Sequence, residues 1–245
     1  MFEFLVSAFD IVLYKPLFNF LVLLYNFIPG NDFGIAIIIL TLIIKVALYP
    51  LSLKSVESQR VMQKFQPKIQ EIQKKYKDDK ERQAKEMMDL YKTEKINPFG
   101  GLFLAFIQLP ILIALYRVFW NGLKPEQLIN LYGFVVNPGH INALFLGIAD
   151  LSKSNIVLAI LAGITQFFQT KMLLPKKDAN QSSSTSADFS KIMQNQMTYF
   201  MPVFTVIILL GLPSALGLYW TASGIFSIIQ QYLIIKKDKQ KDLKK

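Results

Sequence analysis

A lysine stands inside an otherwise apolar run, and the residues near it at helical spacing carry hydroxyls. The run is 33–53, FGIAIIILTLIIKVALYPLSL, and Lys45 lies two residues past its midpoint. As one helix its 21 residues would rise about 31 Å, enough to cross a bilayer core. A lysine at that depth costs roughly 2.5–3.5 kcal/mol on insertion scales. Two arrangements offset such a cost: an ion pair with another helix, or a wet cavity in which the charge binds something. None of the other expected spanning runs, 101–120, 155–174, 197–212 and 214–235, carries a carboxylate. The chemistry to expect of Lys45 is therefore attraction of negative charge, without bond making.

Uncharged polar groups are scattered through the remaining apolar segments. Thr41 and Ser52 share roughly the face of Lys45, with Tyr49 next to it. Gln108 is the lone uncharged polar group deep in 101–120, and Thr165, Gln166, Gln169 and Thr170 lie in 155–174. In 214–235, Trp220, Ser223, Ser227 and Gln231 recur at spacings of three, four and four. Each set alone reads as interhelical hydrogen bonding. Beside one unpaired cation, four such sets read as a shared hydrated cavity.

The usual catalytic sets are missing. His140 is the only histidine, so sites built on paired histidines are out. Neither GxxxxGK[ST] nor GxSxG occurs. No cysteine is present, which excludes disulfides and thiol chemistry. The expectation is a protein that is not an enzyme and needs no nucleotide, metal or other cofactor.

Composition places the chain in a membrane. It has 245 residues, 52% hydrophobic, 18% charged, with 20 Phe and a mean hydropathy of +0.34. The net charge of +10 is clustered. Segment 54–97 holds 12 Lys/Arg and 8 Asp/Glu, 171–191 holds 4 Lys, and the tail 236–245 holds 6. Clustering beside apolar segments fits the positive-inside rule better than nucleic-acid binding.

These residues need helices to hold them. Five transmembrane helices are expected at 33–53, 101–120, 155–174, 197–212 and 214–235, the third stopping at Pro175. Five crossings put all three basic clusters on one side, the cytoplasm, with 22 Lys/Arg inside against 4 outside. The topology is then multi-pass, N-out and C-in, in the inner (plasma) membrane. Residues 1–28 place Glu3, Ser7, Asp10 and Tyr14 on one face and read as an external interfacial amphipathic helix, with an extra spanning helix as the alternative. MFEFLVSAFD lacks a basic n-region and a cleavage site, so it does not read as a signal peptide.

In 54–97, Met62, Phe65, Ile69, Ile72 and Tyr76 repeat at three and four, and Ala84, Met87 or Met88, and Tyr91 follow suit. The pattern predicts a cytoplasmic helical hairpin turning at Lys77-Asp78-Asp79-Lys80, with Pro67 kinking its first helix or starting that helix's second half. The hairpin's charged faces suit solvent or a large partner. Segment 121–154 reads as a loop with short interfacial helices. QSSSTSA at 181–187 reads as a flexible linker, and the basic tail 236–245 as disordered, suited to anionic lipid or RNA phosphates.

The motifs IIKVALYPLSLKS at 43–55, INPFGG at 96–101, QLPILIALYRV at 108–118, IADLS at 148–152 and LYWTASGIFSIIQQYLI at 218–234, with Met201-Pro202, carry a resemblance. In this order, across roughly 35–235, the chain resembles the YidC/Oxa-type membrane protein insertases. The resemblance implies an all-α integral membrane protein, one insertase domain over 1–245, with five transmembrane helices around a positively charged polar groove. The groove receives the hydrophilic part of a nascent membrane protein and lets its apolar segment pass into lipid. By position the resemblance assigns Lys45, Thr41, Gln108, Gln166 and Trp220 to that groove. It implies nascent membrane proteins and membrane lipids as partners and ribosome contact through tail or hairpin, with the Sec translocon a further candidate. Lys45 stands where the family usually has arginine, Leu102-Phe103-Leu104 where the bacterial pattern often has Cys-Leu-Pro, and Gly224 where asparagine is common. The other reading of the chain is a small transporter or channel with Lys45 as its ion site.

Overall fold

A computed structural model describes residues 2–97, 99–122, 124–173 and 195–242. The linker 181–187, Pro175, most of the basic cluster 171–191 and residues 243–245 lie outside the described residues. The chain is mostly helical. Helices α1 (Phe2–Phe9) and α2 (Lys15–Phe27) are joined without a break by a π-helical turn, Asp10–Tyr14. Then come α3 (Phe33–Ala47), α4 (Tyr49–Lys75), α5 (Lys80–Thr93), α6 (Gly100–Asn121) and α7 (Ile156–Leu173). A second π turn, Gln196–Phe200, leads into α8 (Met201–Leu210), and α9 is Ser214–Asp242.

Composition and length allow Val6–Phe27 and Ile156–Leu173 to cross a membrane, and α3 with α4 makes a third such element if the bent pair counts as one. Phe106–Asn121 and Gln196–Leu210 are shorter apolar helices. The expectation of one straight helix over 33–53 is corrected. α3 stops at Ala47, and α4 leaves at a bend of 65°. Pro50 supplies the reason, because it has no N–H to offer the carbonyl of Val46, one turn back. Lys45 consequently sits in the last turn of α3, where exposed helix carbonyls favour a cation.

α4 runs through Pro67 as a single element, so that proline does not start a second helix. α5 folds back along α4. Gln83 Nε2 donates to Gln73 O at 3.0 Å, Tyr76 Oη to Glu86 at 3.3 Å, and Lys68 pairs with Glu94 at 2.9 Å. Asp79 caps α5 by accepting from Arg82 N at 2.9 Å.

The loop after α6 holds one short helix, as expected, and a strand pair that was not. It holds a 3₁₀ turn, Pro125–Asn130, and a two-stranded hairpin, β1 (Leu144–Phe145) with β2 (Ala149–Asp150). The hairpin turns through the left-handed region at Leu146 (φ +50°) and Gly147 (φ +70°), where glycine carries no steric penalty. Asp32 ties this hairpin to α3: Oδ1 caps the helix at Ile35 N (2.8 Å) and Oδ2 accepts from Leu146 N (2.5 Å). The ring of Phe145 then packs so close to Gly34 that a Cβ there would overlap it.

The N-terminal helix is stitched to the same loop. Asn19, almost wholly buried, donates to Asn130 O (3.2 Å) and accepts from Tyr132 N (2.6 Å). Tyr14 donates to Gln127 (3.1 Å), and Asn26 to Val136 O (2.7 Å). Arg117 near the end of α6 pairs with Asp10 at 2.5 Å and lies over the rings of Phe9 and Tyr14. Phe18, Leu21, Phe33, Ile37, Leu40, Leu115 and Phe119 form the densest core between α2, α3 and α6. α7 packs on α9 at small residues. A Cβ on Gly224 would stand 2.8 Å from Thr165 Oγ1, so a larger residue would not fit there without a shift.

The expected disorder of the tail is also corrected. α9 continues through residues 236–242 to Asp242. An established helix propagates more readily than a new one nucleates, and Lys and Gln are good helix formers.

Candidate functional site

The break at Leu48 leaves a cleft among α3, α4, α6, α7 and α9. Its volume is about 270 Å³. Lys45 comes from the end of α3, Ser52 and Gln59 from the start of α4, Gln108 from α6 and Gln169 from α7. α9 presents a stripe, Tyr219, Trp220, Ser223, Ser227, Gln230 and Gln231. Its spacing of three and four puts these groups on neighbouring rows of one helix face.

Lys45 Nζ donates to Ser227 Oγ at 3.3 Å. Among the described residues Lys45 has no ion pair, and the lining of the cleft contains no carboxylate. The ion-pair arrangement considered for Lys45 is therefore not the one adopted among these residues. Ser52 Oγ donates to Gln230 Oε1 at 2.9 Å, which joins α4 to α9 across the bend. Gln108 Nε2 donates to the hydroxyl of Tyr219, a buried side chain. Leu112, Val56 and Leu173 complete the wall with apolar surface. A positive charge, several neutral dipoles and apolar flanks suit an amphipathic polymer bearing negative charge.

Three of the five groove residues expected from the sequence meet here: Lys45, Gln108 and Trp220. Thr41 does not line the cleft. It is buried, and its hydroxyl donates to Ile37 O at 2.7 Å, as a helical threonine can when no other partner is offered. Gln166 also lies outside the lining, and its Oε1 is buried without a hydrogen-bond partner among the described residues. Tyr219, Gln230 and Gln59 were not anticipated. Gln230 adjoins the Ser-Ser-Gln stripe and was legible as its neighbour. Gln59 enters only because α4 turns back over the cleft.

The architecture is that of a helical membrane protein with a cation-bearing polar cleft among its apolar helices. The family model described as 60Kd inner membrane protein matches residues 23–242. A relative from Clostridium tetani, named membrane protein insertase YidC, is 37% identical over 233 residues, covering 93% of this chain and 94% of its own. Relatives of the same name from Geobacter sulfurreducens and Actinobacillus pleuropneumoniae serotype 3 are 36% and 37% identical over 91% and 94% of this chain. The chain spans only 37% and 38% of those two longer proteins. The chain belongs to the 60Kd inner membrane protein family, the YidC/Oxa type of membrane protein insertase.

Proposed function

We propose that this protein inserts nascent membrane proteins, with the Lys45 cleft receiving the hydrophilic end of each client while its apolar segment passes into lipid. The observation that carries this reading is Lys45 itself: a cation in an apolar helix, bonded to Ser227, among dipoles and without a carboxylate. Attraction between unit charges grows as the local dielectric falls, so a client carboxylate gains more here than in water. The client supplies the net driving force by burying apolar surface, about 25 cal/mol per Å². The protein lowers the barrier and needs no bond chemistry. The transporter reading is not favoured, because the relatives carry the insertase name.

The finer arrangement follows the charge pattern. In this reading five elements cross the membrane: α3 with the first residues of α4, then α6, α7, the second π turn with α8, and α9. The N-terminal helix lies along the external interface beside the 125–142 loop, where its hydrogen bonds run. The α4–α5 hairpin and the end of α9 face the cytoplasm, since 18 of the 27 Lys/Arg fall in 54–97 and 236–245. Ribosome contact belongs to that face, through hairpin or tail, and the Sec translocon is a further candidate partner.

The test is reconstitution of the purified chain into liposomes with a small single-span client. Insertion, read as a protease-protected fragment, is expected above the rate of protein-free liposomes. Equal rates would remove the reading.

A further inference from the structure

The loop after α6 is the part of the molecule that the Lys45 cleft does not use. Its residues 127–149 hold no Asp, Glu, Lys or Arg, although 18% of the whole chain is charged. Ile129, Phe134, Val136 and Ile148 expose between 74% and 87% of their surfaces, and Leu146 exposes 58%. These side chains are held out, because the loop around them is pinned. Leu128, Val135 and Ile141 are buried. Asn130 O and Tyr132 N are bound by Asn19, Val136 O by Asn26, and Asn142 N by the hydroxyl of Tyr25. The polar side chains are meanwhile engaged within the fold: Asn137 accepts from Gly139 N, Asn142 from Leu144 N, and Gln127 from Tyr14. A surface made for water has the reverse arrangement, and apolar groups fixed in this way gain by leaving water.

Two markers give the depth of this surface. Leu146 N donates to Asp32, the cap of α3, and Phe145 packs on Gly34 in the first turn of that helix. The hairpin tip therefore lies level with the outer end of α3. Trp120, half exposed, closes α6 beside Tyr116, and the Pro125–Asn130 turn opens five residues on. Tryptophan and tyrosine at the end of an apolar helix sit at headgroup level. A non-helical backbone goes no deeper than that unless protein surrounds it. We propose that Ile129, Phe134, Val136, Leu146 and Ile148 dip into the external lipid leaflet and anchor the loop, with the N-terminal helix bound to it, on the membrane surface. The partner is the acyl region of lipid, whatever the headgroup charge, because the stretch carries no charge with which to select one. This rests on the reading in which α3, α6 and α7 cross the membrane.

The test uses the full chain in phosphatidylcholine bilayer discs, with one cysteine carrying a nitroxide. Collisions with oxygen, which concentrates among acyl chains, are compared with collisions with a water-soluble nickel chelate. Phe134→Cys and Ile148→Cys replace exposed side chains, so the fold is kept. Asn137→Cys, in the polar turn of the same loop, marks the water side, and Ile164→Cys, half exposed midway along α7, marks the bilayer core. The oxygen-to-chelate ratio at 134 and 148 is expected to lie well above that at 137 and below that at 164. Ratios at 134 and 148 equal to that at 137 would overturn the anchor. Dipolar broadening between labels at 134 on separate chains would overturn it as well, by putting a second copy on the patch in place of lipid. A water-like ratio at 164 would instead overturn the membrane-crossing reading on which the anchor rests.

Discussion

Lys45 Nζ and Ser227 Oγ lie 3.3 Å apart, although 182 residues separate them in the chain. The contact joins α3 to α9 across one end of the cleft. It forms because α3 ends one turn before Pro50, which places the lysine at a helix terminus instead of midway along a continuous barrel of side chains. A hydroxyl partner leaves the charge of Lys45 in place. A carboxylate at position 227 would neutralise it, and the cleft would lose its attraction for acidic clients.

Topology is the first prediction. The chain lacks cysteine, so single cysteines report cleanly. A cysteine at Gln83, in α5, is expected to react from the cytoplasmic side and one at Asn137, in the loop after α6, from outside. Ser184 and Lys244, outside the described residues, are expected to report with Gln83. Labelling of Gln83 and Asn137 from one side would rule out the five-span arrangement.

Asp10 and Arg117 give the second. Their 2.5 Å pair anchors the N-terminal helix to α6, with about a third of each side chain still exposed. Full burial would make loss of one partner severe, and full exposure would make it negligible. For this intermediate setting Asp10→Asn is expected to cost about 1–2 kcal/mol in detergent unfolding. Arg117→Leu should cost more, because the guanidinium also covers Phe9 and Tyr14. The double variant should cost less than the sum of the two, and simple additivity would show that the pair is not coupled.

Much of this was legible in the residues, and the misses have physical causes. Ser223, Ser227 and Gln231 announced one face of α9 by spacing alone, and all three line the cleft. Lys45 was legible because none of the five expected spanning segments offered it a carboxylate. Thr41 misled because spacing shows which residues share a face but not whether a hydroxyl turns back to its own helix at Ile37 O. Pro50 was visible, yet the length of the apolar run outweighed it, and the 65° bend was missed. The β1–β2 hairpin rests on a left-handed turn at Leu146 and Gly147, where the glycine alone, beside an apolar residue, gave too weak a signal for a hairpin. The helical course of residues 236–242 was obscured by their charge, which speaks against a packed core but not against an extended helix.

Asp150, in the loop after α6, gives a pH-dependent prediction. The Ser152 hydroxyl, at 2.5 Å, lowers its pKa from 3.8, with help from Lys153 at 3.1 Å. A carboxyl depressed on folding stabilises the fold above its unfolded pKa and loses that contribution as pH falls through the folded one. The loop should therefore be firm at neutral pH and loosen only below about pH 4. Protection of the Ser152 and Lys153 amides, measured against their intrinsic exchange rates at each pH, should fall there. In Asp150→Asn that acid-dependent change should vanish, and an unchanged profile would exclude Asp150 as its source.

The basic end of α9 is expected to help hold translating ribosomes. Deleting 236–245 removes six lysines and should weaken ribosome co-sedimentation and flatten its salt dependence, because each lysine–phosphate contact releases counterions. Topology should survive, since the hairpin still marks the inside. An inverted α9 with unchanged ribosome binding would make the tail an orientation anchor only.

The central claim is that the charge of Lys45 acts on the charge of the client. The direct measurement is the insertion rate of paired clients that differ only in a translocated tail bearing acidic or basic residues, with Lys45 unaltered or changed to Arg, Ala or Glu at equal expression. Arg should preserve acidic-tail insertion, Ala should reduce it, and Glu should reduce it further, while the basic-tailed client should tolerate Glu better than the acidic one does. Equal rates across the four proteins for the acidic-tailed client would contradict the account.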